Sequence, residues 1–555
     1  MENQGIIYKI KSIYITKNIF NFIKDKNIQL KLFRNSKYFQ KILNINYIDC
    51  KEKYLKNIGF NINEYLHIKE EEYENNILNQ KYDKFLLEKK INKKKFEEII
   101  YEILENKQEK KDKKDEIFID IDSPLFEIIS KINNFGNNYT IYISQRNIDN
   151  SKNEYITIFD KLNKSNIKYL SIFYYANNNK IKPLIELKLD YGKLKKLILK
   201  RNNISNISIT ECVNFNDLNL ESNNISDIEI LKKIKFEKLE ILNLENNYIS
   251  NINILEYANF KELKELYLNN NKISDIEILK KVKFEKLEIL DLGYNEILNI
   301  NILEYVNFKQ LKKLKLNNNK ISDIEVLKKV KFETLEILDL RHNIILNINI
   351  LEYTNFKGLK ELNLFFNYIK DIEVLKKVEF EKLEILDLSH NCLLNINILE
   401  YTNFKELKKL NLNFNNISDI EILKKVNFEK LEILDLGYNK ISNIDILEYA
   451  NNKKLKALYL NNNKISDIEV FKKVNFEKLE ILDLGNNEIS NINILEFVNF
   501  KELKELNLRF NRISDIEILK IVNFEKLEII DLENNEINEN SPTVNILESK
   551  FPIII

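Results

Sequence analysis

Residues that usually form disulfide frameworks, metal sites and glycine loops are scarce in this chain of 555 residues. It has three cysteines, three histidines, eight glycines, four prolines and no tryptophan. Cys50, Cys212 and Cys392 are too far apart in the sequence for a disulfide framework or a zinc knuckle. A reducing compartment is the simpler interpretation, so we expect the cytoplasm, with the nucleus as the alternative.

The sequence also lacks an excess of charge of either sign and long apolar runs. Lysine and arginine number 86 against 85 aspartates and glutamates, for a formal net charge of +1. This balance provides no global attraction to nucleic acid or to an anionic membrane. Residues 1–20 alternate lysine with apolar residues, unlike a signal peptide, and no apolar run reaches the roughly 18 residues of a membrane span. We therefore expect neither nucleic acid nor a membrane as a partner.

No motif for catalysis or cofactor binding is present. The glycines are dispersed, and neither GxxxxGK nor GxGxxG occurs. His342 and His390 occupy the same repeat position two copies apart, which in stacked strands separates them by roughly 10 Å, too far to share a zinc ion. Ser389, His390 and Asp387 resemble a triad on paper, but adjacent strand residues face opposite ways and nothing orients such a base. We expect no enzyme, no metal and no cofactor.

A repeating pattern covers most of the chain. The pattern LxxLxLxxNxI first occurs at Leu194 and next at Phe215, and from Leu239 to Leu527 its first leucine recurs every 24 residues. The fifteen copies are of two alternating kinds, so the duplicated unit is 48 residues long. A phase held over so many copies is typical of a solenoid, in which each copy buries its apolar face against its neighbours.

Each copy, numbered from its first leucine, predicts a strand followed by an outer segment. The alternation LxL favours a short strand with inward leucines, and the asparagine at position nine is expected to satisfy backbone groups of the neighbouring turn. Apolar residues such as Ile276 and Leu279 suit a short outer helix, with a capping box at residues 274–277. The asparagine column comprises Asn247, Asn271, Asn295, Asn319, Asn343, Asn367, Asn391, Asn415, Asn439, Asn463, Asn487, Asn511 and Asn535.

These features predict an α/β fold, a curved solenoid with a parallel β-sheet on the concave face and short helices on the convex face. The pattern LxxLxLxxNxIxxIxxL over residues 194–540 resembles the leucine-rich repeats of phosphatase-regulatory subunits and bacterial internalins. The repeat is slightly longer than is typical of that class. The resemblance implies a protein that binds other proteins, and a role as a regulatory subunit of a protein phosphatase follows from the resemblance alone.

Three regions flank the repeats. Residues 1–115 are expected to be mainly helical, with a charged linker at 105–115. Within them, residues 15–43 loosely resemble an F-box without its Leu-Pro opening, which implies a substrate receptor of a ubiquitin ligase. Residues 116–193 contain strand-like runs and are expected to cap the N-terminal end of the solenoid, and residues 541–555 its C-terminal end.

The copies differ from one another mainly at positions seven, eight and ten. Most copies carry Asn, Gly, Lys or Glu there, whereas the seventh to tenth copies carry aromatic and basic residues that stacking would place on one surface. Exposed aromatic rings beside an arginine have the composition of a binding hot spot, although drift among Asn, Tyr and His codons in AT-rich DNA would also produce them. The predicted partner-binding residues are Arg341, His342, Ile344, Phe365, Phe366, Tyr368, His390 and Phe414, with Cys392 beside them, and a smaller group of Arg509, Phe510 and Arg512.

The leading hypothesis is a scaffold without enzymatic activity that holds a folded protein on the concave face. Aspartates at position five allow two interpretations, a solvated polar face or an acidic stripe that steers a basic partner. This column comprises Asp291, Asp339, Asp387, Asp435, Asp483 and Asp531. The identity of the partner and self-association stay open.

Overall fold

The chain divides into two compact units, residues 1–223 and residues 224–555. The computed structural model describes residues 117–120, 139–142, 169–171, 195–201, 205, 215–232, 236–426, 428–449, 453–538, 542–550 and 553–554. The F-box-like stretch at residues 15–43 and the helices expected before residue 116 lie outside the described residues. In the described residues, no helix is both long enough and apolar enough to cross a bilayer.

Short parallel strands make up the described part of the first unit. Strand β1 (Ile117–Asp120) pairs in parallel with β2 (Tyr139–Tyr142). A second parallel ladder joins β3 (Tyr169–Ser171), β4 (Lys196–Ile198) and β5 (Asp217–Asn219), with their central leucines as register partners.

The second unit contains one three-residue strand in each copy. Each of these strands pairs in parallel with the next one along the chain, and the register partner of a residue is the residue 24 positions later. This ladder confirms the parallel leucine-rich-repeat sheet predicted from the 24-residue phase. The strands are β6 (Ile241–Asn243), β7 (Glu265–Tyr267), β8 (Ile289–Asp291), β9 (Lys313–Lys315), β10 (Ile337–Asp339), β11 (Glu361–Asn363), β12 (Ile385–Asp387), β13 (Lys409–Asn411), β14 (Ile433–Asp435), β15 (Ala457–Tyr459), β16 (Ile481–Asp483), β17 (Glu505–Asn507) and β18 (Ile529–Asp531).

The core lies between the strands and the outer segments. Leucines at positions one, four and six, such as Leu263, Leu266 and Leu268, are fully buried, and each contributes about 2 kcal/mol by leaving water. A phenylalanine at position 22 continues this core, as in Phe284 and Phe308, whose ring centroids lie 6.3 Å apart. Because nearly every copy contributes the same side chains, the core continues from copy to copy; the eleventh copy has Asn452 in place of the phenylalanine at position 22.

The asparagines of position nine connect each copy to the one before it. The Nδ2 atom of Asn271 donates to the carbonyl oxygens of Leu268 and of Leu244 in the preceding copy, both at 3.0 Å. Its Oδ1 atom accepts the N–H of Ile249 at 3.0 Å. The same bonds recur along the column, for example at Asn415. These amides satisfy backbone groups that the turn after each strand would otherwise leave unpaired.

The outer segments of the second unit are single 3-10 turns, which corrects the predicted helix start. No side chain caps the turn at Glu277–Lys280 in the manner of a capping box. Instead, the Oδ1 atom of Asp275 accepts the N–H of Glu277 at 2.8 Å, an Asx turn that begins the segment. A 3-10 turn is narrower than an α-helical turn and rises farther per residue, so it crosses the outer side in few residues. The turns are Glu229–Lys232, Asn253–Glu256, Glu277–Lys280, Asn301–Tyr305, Glu325–Lys328, Asn349–Tyr353, Glu373–Lys376, Asn397–Tyr401, Glu421–Lys424, Asp445–Tyr449, Glu469–Lys472, Asn493–Glu496 and Glu517–Lys520.

A helix and a short strand follow the last copy. Helix α1 (Pro542–Lys550) buries Val544 and Leu547, and its Thr543 hydroxyl donates to the carboxylate of Glu517 in the last outer turn. Strand β19 (Ile553–Ile554) pairs with β18. The backbone edge of β18 is therefore paired at these residues.

Candidate functional site

Position eight, directly before the asparagine of position nine, has a left-handed backbone. In the described copies its φ lies between 50° and 58°, a conformation that asparagine tolerates and bulky residues avoid. Asparagine accordingly occupies this position in many copies, for example Asn270 and Asn462. Aromatic rings at this position carry a backbone cost of about 1–2 kcal/mol each.

Five consecutive copies nevertheless carry a ring at position eight. Each ring contacts the next, stacked at three junctions and tilted at one. The row begins with His342 on Phe366, whose centroids lie 4.6 Å apart with planes at 21°. It continues from Phe366 to His390 at 5.7 Å, from His390 to Phe414 at 3.9 Å, and from Phe414 to Tyr438 at 3.7 Å. We call this set the ring row: His342, Phe366, His390, Phe414 and Tyr438.

Phe365 at position seven braces the row from its side. Its ring meets His342 edge-on at 4.7 Å and His390 edge-on at 4.9 Å. Phe366, Phe414 and Tyr438 remain 45%, 39% and 39% exposed. The row is therefore a fixed apolar surface in contact with solvent.

The two histidines of the row favour their neutral form. Burial lowers the pKa of His342, and the charge of Arg341 lowers it further. Burial also lowers the pKa of His390; His342 adds to this effect and Asp387 opposes it. At neutral pH both rings act as uncharged aromatic surfaces.

The other predicted residues of the seventh to ninth copies flank the row. Arg341 pairs through Nε with the Oδ2 atom of Asp339 at 3.2 Å, while its side chain stays 41% exposed. Ile344 and Tyr368 at position ten are exposed, and Cys392 at the same position is half-buried. Within the described residues none of these three makes a ring contact with the row.

The smaller predicted group near the C-terminal end, Arg509, Phe510 and Arg512, makes looser ring contacts than the ring row. The Arg509 guanidinium lies 6.0 Å from the ring centre of Phe510, at the outer limit of a cation–π contact. Arg512 pairs with Glu488 at 3.3 Å. One exposed ring with two arginines makes a more polar surface than the ring row.

Tyr438 is a member of the row that the sequence reasoning missed. It stands at position eight, 24 residues after Phe414, and has the shortest ring contact of the row. Following the position-eight column into the eleventh copy would have found it.

The aspartates of position five are not a uniformly solvated face. Asp291 and Asp339 are 6% and 5% exposed. Each accepts the backbone N–H two residues later, on Gly293 and Arg341. These carboxylates therefore have a local role in the turn after each strand, because they bind the first amide of that turn.

The chemistry of a hydrolase or a metal enzyme is not assembled among the described residues. The hydroxyl of Ser389 donates to the Oδ1 atom of Asp387 and not to His390, and Ser389 is 2% exposed. Within the same residues, no group of three or more His, Cys, Asp or Glu side chains is placed to hold a metal ion. The exposed chemistry of this region is that of aromatic and charged surface groups.

The chain matches leucine-rich-repeat models at several of its copies. A model described as Leucine rich repeat matches residues 453–513, and one described as Leucine Rich repeats (2 copies) matches residues 237–281, 405–449 and 429–473. No match was found among curated proteins.

Several solved structures are similar to this chain. An internalin from Listeria monocytogenes is 28% identical with a TM-score of 0.49, over 57% of this chain and 86% of that chain. A leucine-rich-repeat protein from Leptospira interrogans is 22% identical with a TM-score of 0.52, over 74% and 92% respectively. A plant peptide hormone receptor in complex with RGF2 is 18% identical with a TM-score of 0.45, over 67% and 64%. The 24-residue pattern, the matched models and the parallel ladder together make this chain a leucine-rich-repeat protein.

Proposed function

We propose that this chain is a scaffold without enzymatic activity that binds a partner protein through the ring row and its flanking residues. The observation that carries the proposal is five stacked rings at a left-handed position. Costly conformations usually persist where function uses them. Five of the seven rings at position eight lie in consecutive copies, with Tyr294 and Phe510 outside the row. This concentration favours a binding role over drift, which would scatter rings among the copies.

The composition of the surface supports a protein as the partner. Exposed aromatic rings beside an arginine are enriched in the energetic centres of protein interfaces. Phe366 and Tyr368 are each nearly half exposed, and Arg341 extends beside them. Flat rings that neighbours already hold in place lose little side-chain entropy on binding.

The rigidity of the framework also supports this role. Each ring of the row precedes a buried asparagine whose side chain bonds two copies together, such as Asn367 and Asn415. The N–H of Phe414 itself donates to the carbonyl of Gly437 at 3.0 Å. A surface held at this many points presents the same shape before and after a partner binds.

The test replaces rings with the residue that other copies carry at the same position. We expect Phe366→Asn with Phe414→Asn to reduce capture of the partner from native cells by about 30-fold or more, since even a single hot-spot ring contributes at least about 2 kcal/mol. Tyr294→Asn is the matched control, because Tyr294 is an exposed ring at the same position but outside the row. Quantitative mass spectrometry of the captured proteins measures the ratio. Equal capture by all three chains would refute the proposal.

A further inference from the structure

Aspartates at position five differ in their charged neighbours. Asp291 and Asp339 each have a lysine or arginine nitrogen at 3.2 Å. Asp387 and Asp435, which lie in the ninth and eleventh copies beside the ring row, make no salt bridge among the described residues. The column therefore has carboxylates paired with a cation in the fifth and seventh copies. Among the described residues, the carboxylates of the ninth and eleventh copies form no salt bridge, and neither do Asp483 and Asp531 beyond the row.

Among the described residues, the hydrogen-bond donors to the carboxylates of Asp387 and Asp435 are all neutral. Each accepts the backbone N–H two residues later at 3.0 Å. The Nδ2 atom of Asn411 donates to Asp387 at 3.1 Å, and that of Asn413 donates to Asp435 at 3.2 Å. Burial raises the pKa of Asp435, and these hydrogen bonds oppose the rise. A half-buried carboxylate without a cation is stabilised when a positive group of a partner pairs with it.

Small residues separate these carboxylates from the rings. Each carboxylate precedes a ring of the row by three positions in its own copy, His390 or Tyr438. Position seven between them holds Ser389 or Gly437, both buried. An extended side chain from a partner can therefore lie on a ring and reach the carboxylate beside it.

The remaining charges on this part of the sheet nearly cancel. Glu361 on β11 and Lys409 on β13 occupy position three and are half-buried. Lys409 forms no salt bridge among the described residues with either carboxylate, but its charge lowers the pKa of Asp435, whereas the charge of Asp387 raises it. Arg341 is paired with Asp339 in the seventh copy. The net charge left beside the rings of the ninth to eleventh copies is negative.

We propose that the ninth to eleventh copies bind a basic segment of the partner, whose arginine or lysine side chains lie on His390, Phe414 and Tyr438 and pair with Asp387 and Asp435. The proposal rests on the proposed function and specifies the partner's chemistry. Stacked neighbours cover both faces of Phe414, so the alkyl stems of the arginine or lysine side chains pack on the exposed edges of the rings. The two carboxylates, two strands apart, are separated by about 10 Å. The histidines do not repel the segment at neutral pH, because both favour the neutral form.

A fluorescein-labelled peptide of seven arginines is the probe, and a peptide of seven glutamates is its control. Fluorescence anisotropy with the full chain at low salt measures binding. We expect Asp387→Asn with Asp435→Asn to weaken binding of the arginine peptide by about tenfold, since two ion pairs on a partly exposed surface contribute roughly 1 kcal/mol or less each and tenfold is 1.4 kcal/mol. Asn411 occupies the same position in the intervening copy and makes the same turn bond, so the fold accepts asparagine there.

Matched variants decide the outcome. Asp291→Asn, which removes a carboxylate that already has a cation, is expected to change binding less than twofold. Phe414→Asn, which removes apolar surface between the two carboxylates, is expected to weaken binding. No binding of the arginine peptide, or an equal loss in Asp291→Asn and in the double variant, would overturn the proposal.

Capture of the native partner distinguishes this proposal from the proposed scaffold function. If ring variants abolish capture while Asp387→Asn with Asp435→Asn leaves it intact, the scaffold function stands and the basic segment does not; if neither set changes capture, both fail.

Discussion

The rings of Phe414 and Tyr438 lie nearly parallel with centroids 3.7 Å apart, although both residues have a φ of 50°. The left-handed backbone makes the stack possible, because it turns every position-eight side chain in the same direction. With one ring in each copy, the spacing of stacked rings follows the spacing of the strands, about 4.8 Å. Strain and stacking are thus two consequences of one backbone geometry.

Replacing one ring of the row should leave the stability of the fold almost unchanged. In Phe414→Asn, relief of about 1–2 kcal/mol of backbone strain offsets the loss of two ring contacts of about 0.5–1.5 kcal/mol each. We expect the free energy of unfolding in urea to change by less than about 1 kcal/mol. Leu412→Ala, at a fully buried position of the same copy, should cost about 2–5 kcal/mol. A comparable loss in Phe414→Asn would assign the ring to the core.

Removing an asparagine of the position-nine column should lower the stability of the fold much more. In Asn415→Ala, the carbonyls of Leu388 and Leu412 lose their amide donor, and the N–H of Leu393 loses its acceptor. Buried groups left without partners cost about 1–3 kcal/mol each, so we expect the three groups together to cost about 3 kcal/mol or more. Hydrogen exchange at the Leu393 amide should accelerate. The neighbouring Asn416→Ala, at a half-buried position, serves as the control. Equal losses of stability in the two variants would contradict the role of the asparagine column.

The histidines of the row should titrate below their ordinary range. Burial lowers the pKa of both His342 and His390 in the folded chain. A folded-state pKa below the unfolded value of about 6.5 stabilises the fold fully above that pH, and this contribution is lost as the pH falls through the folded-state pKa. NMR titration of the imidazole protons, with His342→Asn and His390→Asn for assignment, checks this. Midpoints at or above about 6.5 would contradict it.

Neutralising Asp339 should stabilise the chain at neutral pH. Burial raises the pKa of this carboxyl to about 6, and Arg341 opposes the rise. Since the folded-state pKa lies above the unfolded value, the ionised group costs stability above pH 6, on the order of 1–3 kcal/mol, and the cost vanishes as the pH falls towards 4. Urea unfolding of Asp339→Asn at pH 4 to 7 should therefore show a gain only at the upper end.

The reverse change in the next copy provides the control for this prediction. Asn363 holds the same position, and its Oδ1 atom accepts the N–H of Phe365 at 3.1 Å, as the carboxylate of Asp339 accepts that of Arg341. Asn363→Asp should lower stability at pH 7 and leave it unchanged at pH 4. A pH-independent effect of both variants would place the cause outside ionisation.

Sequence reasoning predicted the repeat framework well and the details of its outer side poorly. The inward leucines and the strand follow from period-two alternation, which depends only on neighbouring residues. The capping box at residues 274–277 was a wrong prediction, because Asp275 binds the Glu277 amide in competition with a Ser274 cap. Several local motifs fit such a short segment, and packing of adjacent turns selects among them.

The leucine period by itself determined the solenoid, the parallel sheet and the 24-residue register of this protein, because a copy of that pattern can bury its apolar face only against another copy. Tertiary structure alone decided how the rings of position eight stack, and that Asp339 forms a salt bridge with Arg341 while Asp435 forms none among the described residues. These relationships join residues in different copies or depend on the burial around them. They arise only when the copies stack, and no local pattern of the chain encodes the orientation of a side chain relative to the next copy.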